Sequence, residues 1–131
     1  MTPLFIVIRR LYWSDWGERN PKIESADLDG TNRIVLVNES LQWPNGVAID
    51  YQRRRLYWVD AGTDKIEYYD LVRKTRHASE GSPHAFGVSI LGDMIYWTDW
   101  QDRSLHKLNL ISEKRGFVSN SDSDMFGGWV L

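Results

Sequence analysis

The sequence predicts an all-β propeller, because two independent landmarks recur along its 131 residues at the spacing of propeller blades. The first landmark is a tetrapeptide of tyrosine, tryptophan, a variable residue and aspartate at residues 12–15, 57–60 and 96–99. Its intervals of 45 and 39 residues are close to the roughly 40 to 45 residues of one four-stranded blade. The second landmark, a glycine before a hydrophobic triplet, recurs every 41 residues. These glycines are Gly46, Gly87 and Gly128.

The first unit shows the pattern of short strands joined by turns. Apolar or alternating runs occupy residues 11–13, 22–28 and 33–37. The pair Asp29-Gly30 separates the last two runs, and Asp-Gly between such runs is a strong hairpin signal. The runs therefore predict consecutive antiparallel strands in this unit.

The second unit repeats this pattern with apolar runs at residues 47–49, 56–58 and 65–71. Four strands are the natural count for such a unit. The later units carry Leu71–Lys74 and Leu110–Glu113 where the first unit has Asp-Gly. We therefore expect longer or differently shaped turns at these two places.

The motif strand is apolar on consecutive positions, which predicts a strand buried on both faces. Sheets stacked radially in a propeller bury both faces in this way. The aspartate that closes each motif falls where the strand meets its turn, and a carboxylate there accepts hydrogen bonds from loop amides. The motif residues are therefore expected to be structural. They are Tyr12, Trp13, Asp15, Tyr57, Trp58, Asp60, Tyr96, Trp97 and Asp99.

With these motifs the sequence resembles the YWTD β-propellers of the LDL-receptor family. The tetrapeptides and the runs at residues 20–24 and 43–46 carry the resemblance, which extends from about residue 11 to residue 128. Residues 43–50 and 83–100 most resemble the propellers of the LDL-receptor-related Wnt co-receptors and the agrin receptor, with nidogen second. The family's propeller has six four-stranded antiparallel blades. The resemblance thus implies a partial six-bladed YWTD β-propeller of about three blades plus one starting strand.

The repeat also predicts the domain organisation. An atypical N-terminal segment or junction precedes three blades and the start of a fourth. These parts are residues 1–10, 11–40, 41–81, 82–122 and 123–131. A half-propeller leaves open sheet edges and uncovered blade faces, which invite pairing with other chains. We therefore expect either a fragment of a larger parent or a module that self-associates to complete the propeller.

The composition argues against several classes of function and site. The 16 basic and 18 acidic residues give a net charge of −2 without charge runs, which argues against nucleic acid and against a basic membrane-binding surface. The sequence has no cysteine and three histidines, so we predict no disulfide, no metal site and no cofactor. Residues 1–8 lack the features of a secretory signal, and no apolar run reaches the length of a membrane span.

A group of candidate binding residues falls at one end of the predicted blades. Because strands alternate in direction, the loop before the first strand and the loop after the second strand emerge together. The candidates are Trp16, Trp43, Asn45, His84, Phe86 and Trp100. Aromatic side chains are enriched in interface hot spots, although packing at the blade tops is the favoured role for each of these residues taken singly.

The resemblance implies that this end binds protein ligands. In similar propellers, the asparagine of the Trp-Pro-Asn-Gly loop pairs with an asparagine in a ligand loop, and Asn45 matches it here. The expected partners are Wnt antagonist-like or laminin-like proteins with Asn-containing loops, or neighbouring receptor modules. The third blade reads Ala85-Phe86-Gly87 instead, so no second asparagine contact is expected. Three blades supply half of such a face, which predicts weak or absent binding by the isolated chain.

The predicted function is an extracellular protein-binding module of a Wnt co-receptor-like, LDL-receptor-related protein, with a nidogen-like basement-membrane adhesion module as the alternative. The tripeptide Asn38-Glu39-Ser40 is a glycosylation acceptor in a predicted surface loop and agrees with an extracellular location, at the cell surface or in the ectodomain of a larger parent.

Two further classes of protein share the propeller architecture. Propeller hydrolases place histidines and acids around the central channel, but His77, His84 and His106 occupy non-equivalent positions and no catalytic motif is present. The sequence therefore predicts no enzyme. Cytosolic WD-type propellers carry a Gly-His pair and end in Trp-Asp, whereas here a variable residue separates the tryptophan from the aspartate.

Overall fold

A computed structural model describes residues 9–17, 19–81 and 84–120, and these residues form antiparallel β-sheet without any helix. The strands are β1 (Arg10–Asp15), β2 (Lys22–Asp27), β3 (Ile34–Val37), β4 (Pro44–Asp50), β5 (Arg55–Asp60), β6 (Lys65–Asp70), β7 (Thr75–Gly81), β8 (Ala85–Leu91), β9 (Met94–Asp99), β10 (Ser104–Asn109) and β11 (Arg115–Asn120). The all-β prediction is confirmed.

The strands form three sheets in which neighbours in sequence are neighbours in space. We call them blade 1 (β1–β3), blade 2 (β4–β7) and blade 3 (β8–β11). The pairing of β1 with β2 is equivalent to that of β5 with β6 and of β9 with β10. The strands of blade 1 among the described residues are therefore the second, third and fourth strands of the repeat. The predicted junction before residue 9 and the predicted start of a fourth blade at residues 123–131 lie outside the described residues.

The hairpins between the last two strands differ between blades, as the sequence indicates. In blade 1 the amide of Asp27 donates to the carbonyl of Thr31 at 2.8 Å, which closes a three-residue loop with Gly30 at a φ of 87°. In blades 2 and 3 the loops are four residues long, 71–74 and 110–113. The strongly positive φ explains why the shorter loop uses glycine.

Two apolar clusters hold the blades together. Leu56 and Trp58 point from β5 towards blade 1, whereas Tyr57 and Val59 point towards blade 3, and all four are 0% exposed. The motif strand of blade 2 is thus buried on both faces, as its sequence predicts. We call the side of each blade that bears the motif tryptophan its front and the opposite side its rear. The front of one blade packs on the rear of the blade before it.

A tryptophan, a glutamate and an arginine form a stack on the front of blade 2. Trp58 and Glu67 are cross-strand partners, and the guanidinium of Arg76 lies 5.6 Å from the Trp58 ring centre. Arg76 binds Glu67 through two nitrogens at 2.9 and 2.8 Å. It also donates to the carbonyls of Glu39 and Ser40, at 2.6 and 3.1 Å, in the loop that leaves blade 1. The stack therefore joins two blades.

Blade 1 carries the same stack. Arg33 binds the carboxylate of Glu24 through two nitrogens at 2.8 and 2.9 Å and lies 5.4 Å from the ring centre of Trp13. The hydrogen bonds from Arg33 lower the pKa of Glu24, because they stabilise its charged form. In blade 3, His106 takes the place of the glutamate and stacks on Trp97.

A bulge interrupts the first strand of blades 2 and 3. Regular pairing breaks between Pro44 and Val47 in β4, and between Ala85 and Val88 in β8. The two intervening residues of each strand lie off the ladder, at the end where the first strand begins and the second strand ends. We call this end of the blades the top end. Bulges re-aim side chains, and these two lie beside the predicted binding residues.

Candidate functional site

One carboxylate orders the top end of blade 2. Asp60 is 0% exposed and accepts hydrogen bonds from the backbone amides of Gln42 and Trp43, at 2.8 and 3.0 Å. It also accepts from the amides of Gly62 and Thr63, at 2.8 and 2.9 Å. A single buried side chain thereby holds the loop before β4 and the loop after β5. These bonds anchor the backbone at the start of the Trp-Pro-Asn-Gly loop.

The other motif aspartates bind their own loops in the same way. Asp99 accepts from the amides of Gln101 and Asp102 at 2.9 and 3.2 Å, and Asp15 accepts from the amide of Gly17 at 3.0 Å. Such side-chain bonds to amides two and three residues ahead are typical of Asx turns. The geometry assigns these aspartates a structural task.

Asn45 lies where the three blades meet at the top end. The hydroxyl of Ser14 in blade 1 donates to the backbone carbonyl of Asn45 at 2.7 Å. The Asn45 Nδ2 atom lies 3.5 Å from the carbonyl of Ala85 in blade 3, at the long limit of a hydrogen bond. The backbone of Asn45 is thus held firmly, and its amide group is held loosely.

Blade 3 places a histidine against a tryptophan at the same end. The amide of Trp100 donates to the carbonyl of His84 at 3.3 Å, and the two rings meet edge to face with centres 5.2 Å apart. Phe86 belongs to the adjoining bulge of β8. A Cβ atom on Gly46 would lie 2.8 Å from the carbonyl oxygen of Phe86, so only glycine allows the two bulges to approach this closely.

Four aromatic side chains at the top end are mostly in solvent. Trp16 is 60% exposed, Trp43 53%, Phe86 61% and Trp100 57%. The core tryptophans Trp58 and Trp97, by comparison, are 0% exposed. Packing at the blade tops therefore does not account for these four rings. Of these four residues, Trp16 also lines an open groove of 390 Å³ in blade 1, together with Trp13, Ser14, Asp15 and Gly17.

The six residues that the sequence singled out all lie at this end. Sequence reasoning missed Ser14, whose hydroxyl links blade 1 to the asparagine loop. It identified Gly46 as a landmark of the repeat, but not as the residue that sets the distance between two blades. Ser14 occupies the variable position of the tetrapeptide, where blades 2 and 3 carry Val59 and Thr98. A hydroxyl at a variable position next to a loop is only a weak indication of a hydrogen bond between blades, because its partner is distant in sequence.

Among the described residues, one group brings together side chains of the types that bind metal ions: Asp99, Asp102 and His106. Asp99 is already bonded to two loop amides. Ser104 donates to Asp102 and lies 2.6 Å from His106 Nε2, which in turn lies 3.3 Å from Asp102. These side chains satisfy one another, and the geometry gives no independent sign of an ion.

The described residues have the architecture of a β-propeller module, with repeated blades and exposed aromatic side chains at the top end. The family described as low-density lipoprotein receptor repeat class B matches residues 9–51. The human low-density lipoprotein receptor-related protein 5-like protein is 44% identical over 118 residues, which are 88% of this chain and 46% of that protein. The Drosophila melanogaster vitellogenin receptor Yl is 37% identical over 121 residues, 88% of this chain and 6% of that receptor.

A solved structure agrees with these sequence relatives. A chain in the crystal structure of a nidogen/laminin complex superposes with a TM-score of 0.77 at 39% identity, over 83% of this chain and 42% of that chain. This chain belongs to the YWTD β-propellers of the low-density lipoprotein receptor family. It spans less than half the length of each of these three relatives. The two sequence relatives carry the names of receptors and not of enzymes.

Among the described residues, no helix is long and apolar enough to cross a membrane. The match to receptors and to the class B repeat identifies a module of the extracellular receptor type.

Proposed function

We propose that the top end of this propeller module binds a protein ligand. The observation that carries the proposal is the set of four aromatic rings, each more than half exposed, around an asparagine at the junction of three blades. Large exposed aromatic side chains beside a polar group are typical of interface hot spots. A loop that is already anchored by hydrogen bonds also loses less entropy on binding.

Asn45 is the proposed centre of recognition. Its backbone is fixed by Ser14, whereas its Nδ2 atom makes only a 3.5 Å contact with Ala85. An amide offers both a donor and an acceptor, so an asparagine of a ligand loop satisfies both with a single geometry. Trp43 lies two residues before Asn45, and Phe86 lies in the bulge of β8; both side chains would enclose such a loop.

The proposed role is that of a Wnt co-receptor-like, LDL-receptor-related ectodomain. The 44% identity to the human LDL-receptor-related relative supports it. A nidogen-like adhesion module, with a laminin-type ligand, is the alternative that the 0.77 TM-score favours. Both roles use the same surface and differ in the ligand. We also propose that the catalytic alternative is wrong, because Asp15, Asp60 and Asp99 are engaged by loop amides.

The test is a titration of the chain with a disulfide-closed peptide that presents an asparagine at the tip of its loop. Because three tryptophans at the top end are exposed, a change in tryptophan fluorescence reports peptide binding directly. Asn45→Ala should weaken binding by about tenfold or more, because a lost amide pair leaves a ligand amide unsatisfied. The control Gln52→Ala removes an exposed amide from the opposite end of the same blade and should change nothing. Equal affinity of the Asn45→Ala and wild-type chains would refute the assignment.

An extracellular location is proposed together with glycosylation of Asn38. This residue is exposed in the loop after β3, and the adjoining Glu39 and Ser40 carbonyls are held by Arg76. Secretion from a eukaryotic host should yield a chain whose mass falls on treatment with an N-glycosidase, and Asn38→Gln should abolish that change. A secreted wild-type chain with unmodified Asn38 would contradict the glycosylation.

A further inference from the structure

Asn45 and Gly46 form the one Asn-Gly pair of the sequence, and this dipeptide has a reactivity of its own. The backbone nitrogen after an asparagine can attack the side-chain carbon Cγ, and glycine hinders this attack least because it has no side chain. A bond from nitrogen to Cγ forms, the bond from Cγ to Nδ2 breaks, and ammonia leaves. Water then opens the cyclic imide to aspartate or isoaspartate. The pair is therefore a chemically suited deamidation site.

The reacting side chain is not locked in place. Its Nδ2 atom makes a single contact, 3.5 Å from the carbonyl of Ala85, at the long limit of a hydrogen bond. Regular pairing of β4 breaks between Pro44 and Val47, so that Asn45 and Gly46 lie off the ladder. Neither a strong side-chain bond nor regular strand pairing keeps the Gly46 nitrogen away from the Asn45 side chain.

Contacts from the two adjoining blades hold the backbone of the pair instead. Ser14 of blade 1 donates to the carbonyl of Asn45 at 2.7 Å. A Cβ atom on Gly46 would lie 2.8 Å from the carbonyl oxygen of Phe86 and 3.0 Å from the nitrogen of Val88, so the backbone of blade 3 leaves Gly46 almost no room. Ring closure turns the peptide between Asn45 and Gly46. This turn would break the bond from Ser14 and press Gly46 against a closely packed neighbour.

We propose that Asn45 is a deamidation site whose reaction is suppressed by the packing of blades 1 and 3 on blade 2. The reaction then depends on local opening, and its rate follows the population of the open form. Deamidation adds a negative charge at the junction of the three blades, and isoaspartate also inserts a methylene group into the backbone. The change therefore persists after the blades pack again. The inference is independent of whether the top end binds a ligand.

The experiment is incubation of the full chain at mildly alkaline pH, with and without guanidinium chloride, followed by peptide mass spectrometry of residue 45. Deamidation should be slower in the folded chain than in the denatured chain by on the order of a hundredfold, because it requires local opening. Ser14→Ala should accelerate the reaction of the folded chain by about fivefold, the effect of losing one hydrogen bond, and should change nothing in denaturant. The control Ser112→Ala, in an exposed turn at the opposite end of blade 3, should leave both rates unchanged.

A second variant compares the same dipeptide at two places in one chain. Asp29→Asn creates it in an exposed turn of blade 1, where a Cβ atom on Gly30 would meet nothing within 4 Å. In the folded variant, residue 29 should deamidate at least about tenfold faster than Asn45, since no neighbouring blade hinders its ring closure. In denaturant the two residues should react at similar rates.

Each comparison has an outcome that would overturn the proposal. Equal rates at Asn45 in the folded and denatured chains would show that packing does not protect it, and an unreactive Asn45 in denaturant would show that there is nothing to protect. Equal rates at residue 29 and Asn45 in folded Asp29→Asn would exclude protection by the neighbouring blades. An unchanged rate in Ser14→Ala would contradict the role given to Ser14. Denaturant midpoints by circular dichroism separate local opening from global unfolding in both variants.

Discussion

Blades 1 and 2 carry the same motif in two different environments. In blade 2 the strand through Tyr57 and Trp58 is 0% exposed at both residues, because blade 1 covers one face and blade 3 the other. In blade 1 the equivalent Tyr12 and Trp13 are only half-buried, and Leu11 is 46% exposed. The contrast shows that burial of the motif is a property of the neighbouring blades and not of the motif itself.

The same contrast extends to the arginine stack. Arg76 and Arg33 make equivalent bonds to their glutamates, but only Arg76 has a preceding blade to bind among the described residues. Matched substitutions at equivalent positions therefore measure what a neighbouring blade adds to stability.

The largest expected difference in the free energy of unfolding is between substitutions of the two motif tryptophans. Trp58→Ala should lower the free energy of unfolding by about 4 kcal/mol, because it empties a fully buried site between two blades. Trp13→Ala should cost roughly half as much, since part of that ring is already in solvent. Urea unfolding followed by circular dichroism measures both. Equal costs would show that blade 1 is covered in solution.

The equivalent glycines Gly46 and Gly87 provide a second comparison. A Cβ atom on Gly46 would lie 2.8 Å from the Phe86 carbonyl oxygen and 3.0 Å from the Val88 nitrogen, both backbone atoms of the next blade. Gly46→Ala should therefore cost about 3 kcal/mol through overpacking. On Gly87, the nearest atom is the Thr98 hydroxyl at 3.4 Å, an ordinary contact.

Gly87→Ala should accordingly cost well under 1 kcal/mol, within the usual range for a tolerated substitution (about ±0.5). Thermal unfolding of Gly46→Ala and Gly87→Ala, measured side by side, tests this difference in stability. A destabilisation of Gly87→Ala as large as that of Gly46→Ala would mean that blade 3 is also closely packed at this position.

Substitutions of Arg76 and Arg33 should differ less in their effect on stability. Arg76→Ala removes bonds to Glu67 and to two carbonyls of blade 1, and we expect a loss of about 2 kcal/mol, since hydrogen bonds to charged groups stabilise by about 1.5 to 3 kcal/mol. Arg33→Ala should destabilise less, because its side chain is mostly in solvent. Denaturant midpoints compare the two. A larger effect at Arg33 would contradict the role given to the preceding blade.

The smallest effect concerns pH. The pKa of Glu24 is lowered by Arg33 in the folded chain, so the charged pair stabilises the fold above the ordinary glutamate pKa of about 4.3. This contribution is lost as the pH falls through the lowered folded pKa. Wild-type stability should therefore drop below about pH 4 more steeply than that of Glu24→Gln. Thermal unfolding at several pH values measures this difference. The same dependence of stability on pH in both chains would refute the stabilising role of the Glu24–Arg33 pair.

Much of the candidate site could be predicted because its residues sit at fixed places in a repeat. Trp16, Trp43 and Trp100 follow or precede strand ends, and strand alternation brings such ends together. The contacts between blades could not be predicted. The bond from Ser14 to Asn45 joins residues 31 positions apart, and the approach of Gly46 to Phe86 spans 40 positions. Such contacts depend on how two sheets stack.

The sequence by itself determined the strands, the period of the blades and the residues that close each motif. These features follow from local chemistry: consecutive apolar residues, turn glycines and aspartates that bind nearby amides. The tertiary structure alone decided which motif strands are buried, which arginine spans two blades and which aromatic rings remain in solvent. The physical reason is that burial and long-range hydrogen bonds require a neighbouring sheet. Because the motif recurs in every blade, the motif alone does not show which of its copies has a neighbouring blade on each face.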